Sequence, residues 1–156
     1  GAQALGVDGP AVDKRISALA VALQMGATIY DLEEAELCYA PQFGSAKDAV
    51  NFAGMVAADV LHGDMPLAHW EDTTGAFLLD VRQPVELVVE KVPGAVNIPL
   101  AALRSRLGEL PKDREIHVIC RSAQRAYYAT RILLQNGFKA RSISGGTLAR
   151  AMVSTT

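Results

Sequence analysis

The sequence predicts a small, mainly helical domain followed by an α/β domain with a mainly parallel sheet. In the first sixty residues apolar side chains recur at helical spacing, whereas short apolar runs alternate with helical segments afterwards. The stretch from His62 to Pro66 carries the Gly and Pro that are typical of a domain boundary. We therefore expect one domain over residues 1–63 and a second over residues 64–156.

Three helices are predicted in the first domain, over residues 10–25, 29–39 and 46–61. Pro10 suits a first helical position, and Thr28 and Ser45 are suitable caps for the second and third helices. The third helix is apolar on most sides, which is typical of a helix buried in its own domain or against another chain. Because sixty residues in three helices form a thin core, we expect this half to form a homodimer.

Four strands are predicted in the second domain, over residues 76–81, 95–98, 115–120 and 139–143, with helices at 100–107 and 125–136. The first strand is a continuous apolar run, which is typical of a parallel strand buried on both faces. Ligands of such sheets bind at the carboxyl ends of the strands.

The composition argues against several classes of partner. Fifteen basic and seventeen acidic residues give a net charge of −2, which does not favour nucleic acid or an anionic membrane surface. No apolar run approaches the ~20 residues of a membrane helix. The two cysteines cannot form a disulfide framework, and with three scattered histidines they show no zinc-type cluster. We expect a cytoplasmic protein without a bound metal.

The two cysteines lie in different surroundings. Cys120 directly follows a predicted strand, and the loop Cys120–Arg125 leads into a helix and contains two arginines. Loop amides, a helix N-terminus and nearby cations favour a reactive thiolate. The alternative is that Cys120 is a small buried hydrophobic residue at a strand end. Cys38 lies on the second predicted helix without basic neighbours, and we expect it in the core.

The second half resembles a single rhodanese domain. The matching segments are 78–82 (LLDVR), 92–100 (VPGAVNIPL), 118–125 (VICRSAQR), 136–138 (NGF) and 144–146 (SGG). There are two departures from the family pattern: Glu90-Lys91 replaces a Gly-His pair, and Ala123 stands where many members carry Gly.

The resemblance implies sulfur transfer between small sulfur donors and thiol acceptors. The Cys120 thiolate would attack the outer sulfur of thiosulfate, polysulfide or a persulfide and hold it as a cysteine persulfide. The loop amides of residues 121–125, including that of Ala123, would bind the anionic sulfur. Arg121 and Arg125 would attract anionic donors, while Ser122 and Gln124 could supply hydrogen bonds. Asp80 and Arg82 match a strand-end pair that we expect to brace the loop; Glu86 could cap or pair locally and is given no further role.

A cysteine-based phosphatase is the competing enzyme class on a similar architecture. Such a site needs five residues between the cysteine and its phosphate-binding arginine, to fit around a tetrahedral oxyanion. Only four residues separate Cys120 from Arg125 here. The shorter loop suits a single sulfur atom, and phosphatase activity is not expected.

The first half resembles part of the dimerisation domain of flavin-dependent pyridine nucleotide–disulfide oxidoreductases. The segments are 13–16 (DKRI), 31–37 (DLEEAEL) and 39–48 (YAPQFGSAKD), with Asn51, and they are closest to the coenzyme A-disulfide reductase and NADH oxidase branch. In one subgroup a rhodanese domain follows, so the chain resembles the C-terminal part of such a fusion. Tyr39 and Lys47 fall in the matching stretch, where an interface role is preferred to an active-site role.

The resemblance assigns FAD, NAD(P)H and coenzyme A to an intact fusion only. No G-x-G-x-x-G fingerprint follows any strand, so we expect no cofactor in this chain. Two further hypotheses remain: a non-catalytic docking or sulfur-carrier module, and a structural dimerisation fragment in which Cys120 is buried and unreactive.

Overall fold

The structure is a computed structural model that describes residues 12–42 and 44–153. The predicted start of the first helix at Pro10 lies outside these residues. The chain divides into two compact units, one up to His62 and the other from Gly63. Each unit is described by itself.

The first unit contains three helices: α1 (Val12–Gln24), α2 (Ile29–Glu34) and α3 (Ala49–Leu61). Thr28 caps α2 as predicted, in a reciprocal pair with Asp31. The third helix begins three residues later than predicted because Asp48, and not Ser45, is its cap. The Asp48 carboxylate accepts from the N–H of Val50 at 3.2 Å, and the Asp48 N–H donates to Asn51 Oδ1 at 3.0 Å.

The expectation that Cys38 lies on a helix in the core is wrong. Helix α2 ends at Glu34, five residues early, and the next residue, Ala35, leaves the helical conformation with φ −54° and ψ 125°. The buried Asn51 amide explains this end, since its Nδ2 donates to the carbonyls of Leu32 and Ala35 at 3.1 and 2.9 Å. Cys38 follows in an irregular segment and is exposed.

Two opposite faces of α3 have different surroundings. One face packs closely on α2 at Gly54, where an added Cβ would lie 2.7 Å from the Ile29 carbonyl oxygen. The other face carries Phe52, Val56 and Val60 at four-residue spacing, and all three are exposed. The buried part of α3 is therefore limited to the face that contacts α2.

The second unit contains a five-stranded parallel sheet, which confirms the predicted α/β class. Its strands are β1 (Leu67–Ala68), β2 (Phe77–Asp80), β3 (Val96–Asn97), β4 (Ile116–Ile119) and β5 (Ala140–Ile143), in the order β1-β5-β4-β2-β3. Four strands lie within predicted ranges. The edge strand β1 was not predicted, because two residues are too few for a periodic pattern.

Helices cover both faces of this sheet. They are α4 (Pro84–Val89), α5 (Leu100–Leu103), α6 (Gln124–Gln135) and α7 (Gly146–Val153), with 3-10 turns at Trp70–Thr73 and Leu107–Glu109. Helices α5 and α6 were predicted, α5 as a longer element; α4 and α7 were not. None of the helices in the described part of the chain has the length and apolar character that crossing a bilayer requires.

The core lies on both sides of β4. Val118 and Cys120 pack with α6 residues such as Leu133, whereas Ile119 packs on the other face with Ile143. Because all five strands are parallel, their carboxyl ends meet at one edge, where the segments after β2, β4 and β5 converge.

Candidate active site at the carboxyl end of the sheet

Cys120 lies one residue beyond β4, at the sheet edge where the topology places ligands. The residue is fully buried. Its Sγ accepts a hydrogen bond from the backbone N–H of Ala126, in the first turn of α6, at 3.4 Å. The sulfur is thus held at the positive end of a twelve-residue helix, where a negative charge is stabilised.

The loop after Cys120 turns sharply at Ala123. This residue has φ 72° and ψ −22°, and among the described residues it is the only non-glycine residue with positive φ. The left-handed conformation costs an alanine about 1 kcal/mol relative to its ordinary helical one. The Ala123 carbonyl accepts from the N–H of Tyr127, so the strained residue begins the hydrogen bonding of α6.

A second backbone contact clamps the loop to α7. The N–H groups of Thr147 and Leu148 donate to the carbonyls of Cys120 and Arg121 at 2.9 and 3.0 Å. This approach requires Gly146, because a Cβ at that position would collide with the Cys120 carbonyl oxygen and lie 2.6 Å from that of Arg121. The loop is therefore held from α6 on one side and α7 on the other.

Asp80 and Arg82 form a buried ion pair beside this loop. Arg82 Nη2 donates to Asp80 Oδ2 at 2.7 Å, and both side chains are at most 3% exposed. Arg82 also donates to the Glu90 carbonyl at 2.9 Å. Asn97 Nδ2 donates to the backbone carbonyls of both members of the pair, at 2.9 Å each. These bonds connect the ends of β2 and β3 and satisfy buried charges that would otherwise be costly.

Glu86 on α4 binds Arg125 with two hydrogen bonds. The Arg125 guanidinium donates to the two carboxylate oxygens at 2.6 and 2.8 Å. This contact lowers the pKa of Glu86 to about 2, so the carboxylate is ionised at every pH near neutrality. Arg125 is thus neutralised by a carboxylate of the same chain, although the sequence suggested a role in attracting anionic donors.

A cavity of about 290 Å³ opens beside the loop. Its wall combines charged and apolar side chains: Arg82, Glu86, Val89, Glu90, Arg121, Thr147, Leu148 and Ala151. Since Arg121 and Thr147 both adjoin Cys120 through the chain or a hydrogen bond, we call this cavity the mouth of the site.

Residues 67–149 match the family described as the rhodanese-like domain, and this range is more than half of the chain. The chain belongs to this family. The rhodanese domain predicted from the second half of the sequence is confirmed.

Relatives of known sequence and structure support the assignment. A protein named sulfurtransferase from Allochromatium vinosum is 36% identical over 81 residues, which are 51% of this chain and 76% of that protein. The structure of reduced Bacillus anthracis CoADR-RHD matches with a TM-score of 0.87 and 37% identity, covering 92% of this chain and 27% of that chain. An NAD-dependent persulfide reductase from A. fulgidus matches with a TM-score of 0.79 and 35% identity, covering 87% and 25%.

Two consequences follow from these coverages. The chain spans about a quarter of the length of the two solved structures. A match over 92% of the chain extends beyond the rhodanese domain and includes most of the helical unit. Both halves of the chain therefore resemble parts of the same known protein in structure.

The remaining loop residues of the rhodanese domain are open to solvent. Arg121, Ser122 and Gln124 are exposed. The side chains of Ser122 and Gln124 form no hydrogen bond to the part of the chain that the structure describes, and their hydrogen bonds to a sulfur donor stay a prediction. Arg121 has no carboxylate partner among the described residues and lines the mouth.

The two candidates in the helical unit have ordinary surface environments. The Lys47 ammonium donates to the Glu33 carbonyl at 3.3 Å, and Tyr39 is 52% exposed. Neither of these environments indicates a catalytic role within this chain.

The sequence did not predict how two residues, Glu86 and Gly146, shape the rhodanese loop. Gln83-Pro84 with Glu86 could have been read as a helix start, because proline suits the first helical position and Glu86 accepts from the Gln83 N–H. The contact between Glu86 and Arg125 could not have been predicted from the local sequence, since the two residues are 39 positions apart. Gly146 belongs to the matching segment 144–146, but its close approach to the loop could not be predicted from that match.

Proposed function

We propose that this chain is a rhodanese-type sulfurtransferase that carries sulfane sulfur as a persulfide on Cys120. The observation that carries the proposal is the position of Sγ, which accepts the Ala126 N–H at the start of α6 inside a loop clamped on both sides. An anionic persulfide at this position would be stabilised by the helix dipole and by hydrogen bonds from the loop amides. The sulfurtransferase name of the A. vinosum relative supports the reaction class.

The transfer step needs no redox partner. The Cys120 thiolate attacks the outer sulfur of a donor R–S–SH, the sulfur–sulfur bond of the donor breaks, and R–S⁻ leaves with the bonding electrons. The proton of the outer sulfur passes to R–S⁻, which gives Cys120–S–S⁻ and R–SH. An acceptor thiolate or cyanide then attacks the outer sulfur and regenerates the Cys120 thiolate.

Because Cys120 is fully buried, the loop has to move before a donor can reach Sγ. The same burial is the observation that favours the structural alternative, in which Cys120 is unreactive. A docking or carrier module would load one sulfur and not turn over.

Intact-mass analysis after incubation with thiosulfate or polysulfide tests the proposal. We expect the wild-type protein to gain one sulfur atom, which cyanide removes as thiocyanate, and Cys120→Ser to gain none. Cys38→Ser is the matched control, because it removes the exposed cysteine and leaves the rhodanese loop intact. A folded, reduced protein that gains no sulfur from either donor would overturn the catalytic role.

We further propose that the chain acts as the C-terminal part of a flavin-dependent coenzyme A-disulfide or persulfide reductase. The similarity to CoADR-RHD and to the A. fulgidus persulfide reductase along both halves supports this arrangement. In it, the helical unit forms a homodimer interface, and FAD, NAD(P)H and coenzyme A bind to domains outside this sequence. The rhodanese persulfide would be reduced at the flavin centre.

A further inference from the structure

The charges around the mouth of the site cancel. Its lining contains two carboxylates, Glu86 and Glu90, and two guanidinium groups, Arg82 and Arg121. Asp80 and Arg125, the ion-pair partners of Arg82 and Glu86, add one charge of each sign beside the loop. A site for a small dianion normally offers an excess of positive charge or several free donors. The mouth offers no such excess.

Two of the three cations are held by carboxylates. Arg82 is paired with Asp80 at 2.7 Å, with Glu90 a further 3.7 Å away from its Nη1. Arg125 is paired with Glu86 through both of its terminal nitrogens. Arg121 alone retains a guanidinium without a carboxylate partner among the described residues. Among the described residues, Arg121 is therefore the guanidinium of the mouth that remains to contact a negative charge on an incoming donor.

Apolar side chains complete the rim of the mouth. Val89 and Leu148 line it and are 91% and 41% exposed. On the same short helix as Val89, α4, Val85 and Val88 are 72% and 85% exposed. An organic donor with a carbon chain next to its sulfur can bury apolar surface here, whereas thiosulfate has none to bury.

We propose that Glu86 sets the charge selectivity of the site, so that Cys120 takes sulfur from neutral or singly charged persulfides of organic thiols in preference to thiosulfate. The inference rests on the proposed function and deepens it, because it names the class of donor. Glu86 acts here through Arg125 and is a positioning residue: by occupying that guanidinium it removes the second cation that a dianion would need.

The charges of the two transfer reactions differ. With thiosulfate, the Cys120 thiolate meets a dianion, the bond between the two sulfurs breaks, and sulfite leaves with its electron pair and two negative charges. With a neutral R–S–SH, one negative charge is present throughout, and it passes from Cys120 to R–S⁻ and, after proton transfer, to the persulfide. Because Glu86 already binds Arg125, the dianion of the first reaction meets only the guanidinium of Arg121, whereas the second reaction involves no more than one negative charge.

The test compares kcat/KM for thiosulfate and for the hydrodisulfide of 2-mercaptoethanol, a donor with at most one negative charge, with cyanide as acceptor. We expect the wild-type protein to prefer the hydrodisulfide. In Glu86→Gln, the ratio of thiosulfate to hydrodisulfide use should rise about tenfold, because one carboxylate is removed and Arg125 is released. The rise should shrink as salt increases, as expected for a screened charge effect.

Glu109→Gln is the matched control, since Glu109 also binds an arginine with two hydrogen bonds, at 2.7 and 2.6 Å to Arg106. The substitution changes the net charge by the same amount as Glu86→Gln. Glu109, however, precedes the amino end of β4, whereas Cys120 follows the carboxyl end of that strand. If Glu86→Gln does not fold, the salt dependence of the wild-type protein tests the charge balance of the mouth instead. Its kcat/KM for thiosulfate should change less than about twofold between ~20 and ~200 mM KCl.

The outcomes separate this inference from the proposed function. Equal use of both donors by the wild-type protein, or an equal change of the ratio in both variants, would overturn the charge selectivity alone. Transfer from neither donor by the folded wild-type protein would overturn the proposed function itself.

Discussion

At the scale of single residues, the loop depends on side chains whose partners lie far away in the chain. Arg125 follows the cysteine by five positions, yet its charge is controlled by Glu86 on another helix. Ala123 occupies a left-handed conformation that favours glycine, and the bonds of its neighbours to α6 and α7 hold it there. The chemistry of Cys120 therefore depends on residues that the loop sequence alone does not contain.

The Glu86–Arg125 pair should make stability dependent on pH. The pKa of Glu86 is lowered from 4.5 to about 2, so its contribution is complete above about pH 4.5 and is lost as the pH falls through about 2. We expect Glu86→Gln to lower the free energy of unfolding by on the order of 2 kcal/mol at neutral pH, discounted because the pair is partly exposed. The difference from the wild-type protein should vanish towards pH 2.

Urea unfolding at several pH values, followed by fluorescence, measures this difference. Trp70 is the only tryptophan in the sequence and lies in the rhodanese unit, so its signal reports that unit. Glu109→Gln, in a more exposed pair, should show a smaller effect. A difference between the wild-type protein and Glu86→Gln that stays constant down to pH 2 would contradict the assignment of the pair.

At the scale of elements, the helices after the strands determine the shape of the site. Helix α6 supplies the N–H that binds Sγ, α7 supplies the N–H groups that bind the loop carbonyls, and α4 supplies Glu86. Of these three helices, only α6 has a periodic pattern long enough to be predicted from the sequence. Helix α4 has six residues and α7 has eight, and their place at the site follows from the parallel strand order.

Gly146→Ala should separate α7 from the loop. The new Cβ would collide with the Cys120 carbonyl, and the positive φ of 60° is itself unfavourable for alanine. We expect the free energy of unfolding to fall by about 2 kcal/mol or more, and sulfur loading of Cys120 to fall at least about tenfold. Urea unfolding followed by circular dichroism and intact-mass analysis measure the two effects.

Gly108→Ala provides the matched control for that substitution. Gly108 lies in a 3-10 turn, has no positive φ, and an added Cβ there meets nothing within 4 Å. Its replacement should leave both sulfur loading and stability close to wild type. Equal effects of the two substitutions would show that the close approach of Gly146 to the loop is unimportant.

At the scale of the whole molecule, the two units differ in how much core they contain. Between Gly63 and Thr156, the rhodanese unit has a sheet covered on both faces. In the helical unit, α2 ends early and α3 buries only one face. The exposed stripe of Phe52, Val56 and Val60 is the surface that we propose for the homodimer interface.

Phe52→Asp should weaken this dimer. A charge in the centre of an apolar interface has to be desolvated without a partner, so the dissociation constant should rise at least about tenfold. Sedimentation velocity over a range of concentrations measures it. Val88→Asp, an exposed valine of the rhodanese unit, is the control and should leave the dissociation constant unchanged. A well-folded wild-type monomer at all concentrations would contradict the proposed interface.

The sequence by itself determined the α/β class, the parallel sheet and the position of Cys120 at a strand end, because these follow from periodicity and from neighbours along the chain. Only the tertiary structure decided that Cys38 is exposed, that Arg125 is neutralised by Glu86, and that Gly146 clamps the loop. The physical reason is distance along the chain. Each of these features depends on a contact between residues 16 to 39 positions apart, and the folded backbone determines which residues meet.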